Sequence, residues 1–246
     1  MANAEVVVVT GAAGGIGMSV VERLIADGYK VAALDINEKQ LDVLRGQCDA
    51  GVTTFRVDQT NEAAVRDVID RVEKELGPIE AFANVTGWVS ATRFEQEDSA
   101  YWRKVIAINF EALLYTAHPI LVRMIERKRG RMVFVASDAG RVGTSTEAVY
   151  AATKAGVIAL AKSLARENAR HNIRVNCVSP GPTETPLFAQ AMKEDPETLK
   201  RMVRIVPFRR LGKPSEQAAA LSFLLSEDAS YITGQTLSVS GGLTMA

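Results

Sequence analysis

Histidine and cysteine are nearly missing from this chain. His118, His171, Cys48 and Cys177 are all it has in 246 residues, and they lie far apart. No Cys-x-x-Cys pair and no His/Cys cluster occurs, so neither a metal site nor a disulfide framework is expected. A surplus of either charge sign is missing too, since 29 Lys and Arg balance 29 Asp and Glu. A dedicated nucleic-acid binder carries a basic excess, so no nucleic-acid partner is expected. No run approaches ~18 uninterrupted apolar residues, and no basic region precedes the first apolar run. The expectation is a cytoplasmic chain with no membrane span and no secretory leader. The composition, 47% hydrophobic and 24% charged, suits a globular protein with a large core.

Short β-branched runs alternate with longer helical patterns. Val6-Val7-Val8-Val9 is a continuous apolar run, the mark of a parallel strand covered on both faces. Further strands are expected at 31–34, 52–56, 81–83, 132–135, 173–178 and 236–239. Helical patterns fall at 15–27, 38–47, 61–75, 98–127, 148–169 and 215–226. Strict alternation predicts an α/β fold with a doubly wound parallel sheet of about seven strands. With no repeat, low-complexity tract or linker, residues 1–246 read as one domain. The proline-bearing stretch of about 186–213 reads as irregular or short-helical, a substrate loop able to act as a lid.

The first strand runs into Thr10-Gly11-Ala12-Ala13-Gly14-Gly15-Ile16-Gly17. Glycines tighten such a turn and let backbone amides approach a pyrophosphate, with the next helix presenting its N-terminus. The strand–turn–helix setting favours a nucleotide site over a plain tight turn. Asp35 ends the second strand, where a carboxylate accepts both ribose hydroxyls and repels a 2′-phosphate. No Arg or Lys occupies 36–38, so NAD is favoured over NADP. Asp58 could meet an adenine amino group with Val57 flanking the ring, or simply cap a turn.

Tyr150 and Lys154 are four residues apart on a helical pattern and share a face. A free phenol, with a pKa of about 10, is too weak a base at neutral pH. A nearby ammonium stabilises the phenolate, so the pair supplies a proton acceptor in a chain almost without histidine.

Together, Thr10 to Gly17, Asp35, Asp58, Asn109, Ser137, Tyr150/Lys154 and Pro180-Gly181 resemble the short-chain dehydrogenase/reductase family over essentially the whole chain. That resemblance implies a Rossmann fold and hydride transfer between a secondary alcohol and a nicotinamide. It implies that Tyr150 is the base in oxidation, and that Lys154 lowers its pKa and holds the nicotinamide ribose. Ser137 is implied to bind the substrate oxygen, and Asn109 to anchor a water relaying protons from Lys154. Gly11, Gly14, Gly15, Ile16, Gly17, Asn84, Gly87, Pro180, Gly181, Thr183 and Thr185 are implied cofactor contacts. One motif departs from the family's Asn-Asn-Ala-Gly: here it is Asn84-Val85-Thr86-Gly87. The family's habit also implies a homotetramer built on the two long helices and the C-terminal segment.

For the substrate, Trp88 and Phe94 either line an apolar pocket or pack in the core. Glu147 stands where many acyl reductases of the family carry Gln. Lys193, Lys200, Arg201, Arg204, Arg209, Arg210 and Lys213 form a local basic excess. They either greet the phosphates of a coenzyme A thioester or form a solvated face. Ser137 to Gly143, Glu147 to Tyr150 and the tail Leu237 to Met245 resemble family members that oxidise 2-hydroxycyclohexane-1-carboxyl-CoA to the 2-keto product. Dehydrogenation of another cyclic or aryl alcohol and 3-oxoacyl-thioester reduction are the alternatives. A nucleotide-sensing scaffold without turnover is the remote one.

Overall fold

The structure, a computed structural model, describes residues 4–48, 51–186, 188–189 and 196–245. Strands β1 (Val6–Thr10), β2 (Lys30–Asp35), β3 (Val52–Arg56), β4 (Ile79–Asn84), β5 (Gly130–Val135), β6 (Ile173–Pro180) and β7 (Thr236–Val239) form one sheet. Their order is β3-β2-β1-β4-β5-β6-β7, and every pairing is parallel. The chain winds outward from β1 to β3, then crosses back to lay β4 on the other side of β1. That reversal opens a crevice above the carboxyl ends of β1 and β4, the usual ligand site of such sheets.

Helices α1 (Gly15–Ala26), α2 (Glu38–Gln47) and α7 (Pro214–Leu225) cover one face. Helices α3 (Glu62–Leu76), α4 (Ser99–Arg127) and α5 (Ala148–Asn168) cover the other. Alternate β1 residues feed the two cores: Val6 and Val8 pack toward α3 and α4, Val7 and Val9 toward α1 and α2. This is why β1 reads as an unbroken apolar run. Polar caps set the helix starts, with the side chains of Asn37, Asn61 and Asp98 accepting from backbone amides in the first turns of α2, α3 and α4.

The expected seven strands and their alternation with helices are present, in a single sheet. Strands β2, β5 and β6 run two residues longer than the sequence pattern predicts, and β4 three. The pattern at 98–127 is one helix, as expected, but a π-turn at Ala107–Glu111 interrupts its α-geometry. The 186–213 stretch contains a ten-residue helix, α6 (Pro196–Ile205), where irregular or short-helical chain was expected. Pro196 opens it at a position that needs no amide donor, and Pro207 lies just beyond its end. Residues 187 and 190–195 of that stretch, Lys193 among them, lie outside the described residues. The spans Ser99–Arg127 and Ala148–His171 are long and apolar enough to cross a bilayer by length and composition. Here Leu113, Ile120, Met124, Val157 and Ile158 turn their apolar sides to the sheet.

Candidate active site

The turn after β1 is shaped by what its glycines leave out. Gly11 has φ of 62°, and a Cβ there would lie 2.8 Å from the Thr86 amide nitrogen. A Cβ on Gly17 would lie 2.0 Å from the Gly11 carbonyl oxygen, and one on Gly15 2.8 Å from Pro186 Cδ. Side chains at these positions would close the space between the turn, the loop after β4 and the loop after β6. Gly14 is the N-cap of α1 and offers no side-chain acceptor, so the first amides of α1 are left for an anion. Ile16 is half-buried behind the turn against the α1 core.

Asp35 stands beside this turn at the end of β2. Its Oδ2 accepts from the Ala13 amide at 3.0 Å and its Oδ1 from the Asn37 amide at 3.0 Å. The carboxylate is therefore oriented, and it keeps lone pairs for two hydroxyls. Val57 is buried in the core rather than turned to the crevice, so Asp58 is the exposed member of that pair. Asp58 Oδ1 accepts from the Thr60 amide and hydroxyl, the turn-capping role.

In the departing motif, Asn84 is buried and its Oδ1 accepts from the Thr10 hydroxyl at 2.9 Å, tying β4 to β1. Thr86 donates to Gln59 Oε1 at 2.6 Å, a link that the sequence reading missed. A Cβ on Gly87 would lie 3.3 Å from Asn109 Oδ1 and 3.4 Å from Lys154 Nζ. Gly87 thus keeps open the space between those two side chains. After β6, the Thr183 hydroxyl donates to the Gly181 carbonyl, and Thr183 bridges to Gly212. The Thr185 hydroxyl accepts from the Phe188 amide, and its Cβ sits against Gly15. Pro180 ends β6, and Gly181 touches Ser240 of the C-terminal segment too closely for any side chain. Donors, carboxylate and open turn together fit a dinucleotide. Among the described residues no group of three or more His, Cys, Asp or Glu could hold a metal ion.

Tyr150 and Lys154 lie in the first turns of α5, one turn apart. Lys154 is buried; its Nζ donates to the Val135 carbonyl at 2.9 Å and stands 5.7 Å from the Tyr150 ring centre. Burial lowers its pKa to about 8. Burial also pushes the Tyr150 phenol up to about 12, opposed by the Ser137 hydroxyl and reinforced by the charge of Glu147. Desolvation of the phenol outweighs the Ser137 hydroxyl, which favours the phenolate. Ser137 also accepts from the Ala139 amide, which fixes its hydroxyl at the end of β5.

Asn109 sits inside the π-turn, buried. Its Oδ1 accepts from the Trp88 amide, and its Nδ2 donates to the carbonyls of Trp88 and Val105. The side chain is a strut joining the loop after β4 to α4. Both Nδ2 hydrogens are engaged, while Oδ1 keeps one acceptor site. The π-turn is what brings the side chain to that loop.

Trp88 and Phe94 belong to neither core cluster. Trp88 packs on Tyr101 at 5.8 Å, with Lys104 Nζ 3.9 Å above its ring, and Phe94 stacks on Trp102 at 5.6 Å. The loop bearing them is tied to the one before α5 by the bond from the Thr92 amide to the Thr146 carbonyl. Glu147 follows, half-buried, with its carboxyl pKa raised by burial. In the basic stretch, Lys200 pairs with Glu197 at 2.7 Å and Arg210 with Glu216 at 2.6 Å, so part of the excess is already neutralised.

The family described as "Enoyl-(Acyl carrier protein) reductase" matches residues 11–244. The chain is 37% identical to an acetoacetyl-CoA reductase of Acinetobacter sp. (strain RA3849) over 250 residues, all of both chains. It is 33% identical over 241 residues to a 3-oxoacyl-[acyl-carrier-protein] reductase of Salmonella typhimurium, covering 98% of each. Among solved structures, levodione reductase superposes with a TM-score of 0.93 at 30% identity, covering 98% of each chain.

Proposed function

The chain belongs to the short-chain dehydrogenase/reductase family, and on that premise we propose that it oxidises a cyclic secondary alcohol with NAD. The substrate pair of this reading is 2-hydroxycyclohexane-1-carboxyl-CoA and 2-ketocyclohexane-1-carboxyl-CoA. The protein is an oxidoreductase of hydroxyl and keto groups that uses a nicotinamide cofactor. The observation carrying the reaction class is Tyr150 one helical turn from buried Lys154, whose Nζ is fastened to the end of the strand that leads into Ser137. Retention of this set argues against a non-catalytic scaffold.

A bound nicotinamide ring supplies the two-electron acceptor for the carbinol carbon. Gly11, Gly14, Gly15, Gly17 and the first amides of α1 hold its diphosphate, and Asp35 its adenosine ribose. Asp58, Asn84, Gly87, Pro180, Gly181, Thr183 and Thr185 form the rest of the wall. Ser137 donates to the substrate oxygen and Tyr150 takes the carbinol proton. Lys154, held by the Val135 carbonyl, offers its remaining donors to the nicotinamide ribose and its charge to the phenolate.

The carboxylate of Asp35, with no cation at 36–38, supports NAD. The acetoacetyl-CoA reductase relative supports a thioester as substrate, as do the cations Arg204, Arg209 and Lys213 of the basic stretch. The same relatives favour a second reading, reduction of a 3-oxoacyl thioester. Homotetramer assembly and a cytoplasmic location belong to the proposal. Ala152, Ala155 and Ala159 expose a small-residue face on α5, and Leu237 is exposed on the last strand of the sheet.

Initial rates decide between the readings. The panel is 2-hydroxycyclohexane-1-carboxyl-CoA, its free acid and cyclohexanol with NAD or NADP, beside acetoacetyl-CoA with NADH or NADPH. Turnover confined to the cyclic thioester with NAD supports the proposal. Faster reduction of acetoacetyl-CoA with NADPH replaces it with the second reading. Turnover of free alcohols alone discards the thioester.

A further inference from the structure

The turn that carries Ser137 is held from two sides. On one side Gly140 lies against α5, where a Cβ would come within 2.7 Å of the Lys154 carbonyl carbon and the Ala155 amide nitrogen. On the other side the turn is tied to β7, the last strand of the sheet. Asp138 Oδ1 accepts from the Ser238 hydroxyl at 2.8 Å, and Arg141 donates to the Thr236 carbonyl. Asp138 is 4% exposed, and its Oδ2 is buried with no hydrogen-bond partner. Ser238 lies in register with Ser179 of β6, whose hydroxyl is also buried and without a partner. A buried carboxylate is costly, and the same fastening between helix, turn and strand needs no charge. Its position next to Ser137 gives it a purpose.

We propose that Asp138 is a positioning residue: anchored on Ser238 of β7, it fixes the turn so that the Ser137 hydroxyl stays beside the Tyr150 phenol. The inference rests on the Ser137–Tyr150 reading above and adds a residue that never touches substrate. It also makes the last strand of the sheet part of the support of the site. The Ser137 hydroxyl that it keeps in place opposes the effect of desolvation on the phenol. Glu147, the N-cap of α5, and Lys154 on α5 are the charged groups beside Tyr150 and stay in place when β7 lets go.

The test compares Asp138→Ala, Asp138→Asn, Ser238→Ala and Ser137→Ala with the parent, using whichever alcohol of the panel turns over. Asp138→Ala is expected to lower kcat about tenfold, with the KM for the nicotinamide cofactor unchanged. Its alkaline-rising limb of kcat/KM against pH should move to higher pH, as the Ser137 hydroxyl moves away from the phenol. Asp138→Asn, whose amide oxygen accepts the same bond from Ser238, should restore both kcat and the limb. Ser238→Ala should move the limb in the same direction, and it serves in place of Asp138→Ala if that variant does not fold. A folded Asp138→Ala or Ser238→Ala enzyme with parental kcat and limb overturns the proposal, as does an Asp138→Asn enzyme no better than Asp138→Ala. Ser137→Ala with parental turnover overturns instead the reading of Ser137 itself.

Discussion

Lys154 donates to the Val135 carbonyl at 2.9 Å while its ammonium stands 5.7 Å from the centre of the Tyr150 ring. The lysine is thus fastened to the end of β5 and not to the phenol it serves. The strand end that carries Ser137 two residues later also fixes the helix that carries Tyr150. One short stretch of backbone sets all three groups.

Tyr150→Phe removes the proton acceptor and leaves the ring in place. We expect kcat to fall by a factor of about 10²–10⁴, the usual worth of a positioned acid or base. Cofactor affinity, read by fluorescence quenching of NADH, should change little. Near-normal turnover in this variant would remove Tyr150 from the mechanism.

Lys154 has a stability consequence. Its pKa falls from 10.5 to about 8, so the fold favours the neutral amine. The stabilising contribution is present above 10.5 and is lost as pH falls through about 8. At pH 7 the protein therefore carries a buried ammonium at a cost of about 3 kcal/mol. Lys154→Met removes that cost and leaves the Val135 carbonyl without its partner, worth about 1–2 kcal/mol. We expect a melting temperature at pH 7 raised by about 2–6 °C, with activity lost. The gain should shrink at pH 10. A melting temperature that falls at both pH values contradicts this account.

Glu147 acts on Tyr150 in the opposite sense. Its carboxylate disfavours the neighbouring phenolate, adding to the effect of burial. Glu147→Gln keeps the shape and removes the charge. The rising limb of the oxidation rate against pH should then move to lower pH, and turnover near pH 7 should increase. A limb that stays put shows that Glu147 and Tyr150 are screened from each other.

Asp35 tests the cofactor. Asp35→Ser withdraws a charged acceptor from the adenosine ribose, and charge-assisted bonds of this kind are worth about 1.5–3 kcal/mol. We expect kcat/KM for NAD to fall about 10–100-fold, with NADP losing less or gaining. Equal losses for both cofactors would show that Asp35 serves only its bonds to Ala13 and Asn37.

Much of this site is readable from the chain because local chemistry dictates it. The Val6 to Val9 run, the glycine turn and the Tyr150/Lys154 spacing each state a backbone requirement in adjacent residues. What stays hidden depends on distant partners. The π-turn that aims Asn109 at Trp88 joins positions 21 residues apart. Asp138 meets Ser238 across 100 residues. The upward push on the Tyr150 phenol comes from burial, a property of the folded site and not of residue spacing. Val57 reads as a wall of the crevice but is core, since strand alternation turns it inward.

Gly140 offers the sharpest steric test of how the site is held. An added methyl would press on backbone atoms of Lys154 and Ala155 at 2.7 Å, and backbone yields less readily than the end of a side chain. Overpacking of this kind costs about 1–3 kcal/mol. Gly140→Ala should lower the melting temperature by several degrees. In the folded fraction it should lower kcat further, because the turn escapes the clash by moving Ser137 away from Tyr150. Gly143, in the same segment, has no atom within 4 Å of its would-be Cβ, but its φ of 75° strains any side chain. Gly143→Ala should therefore cost stability while leaving kcat in the folded fraction near that of the parent. If the two variants lower kcat equally, the packing of the Ser137 turn on α5 is not what places the hydroxyl.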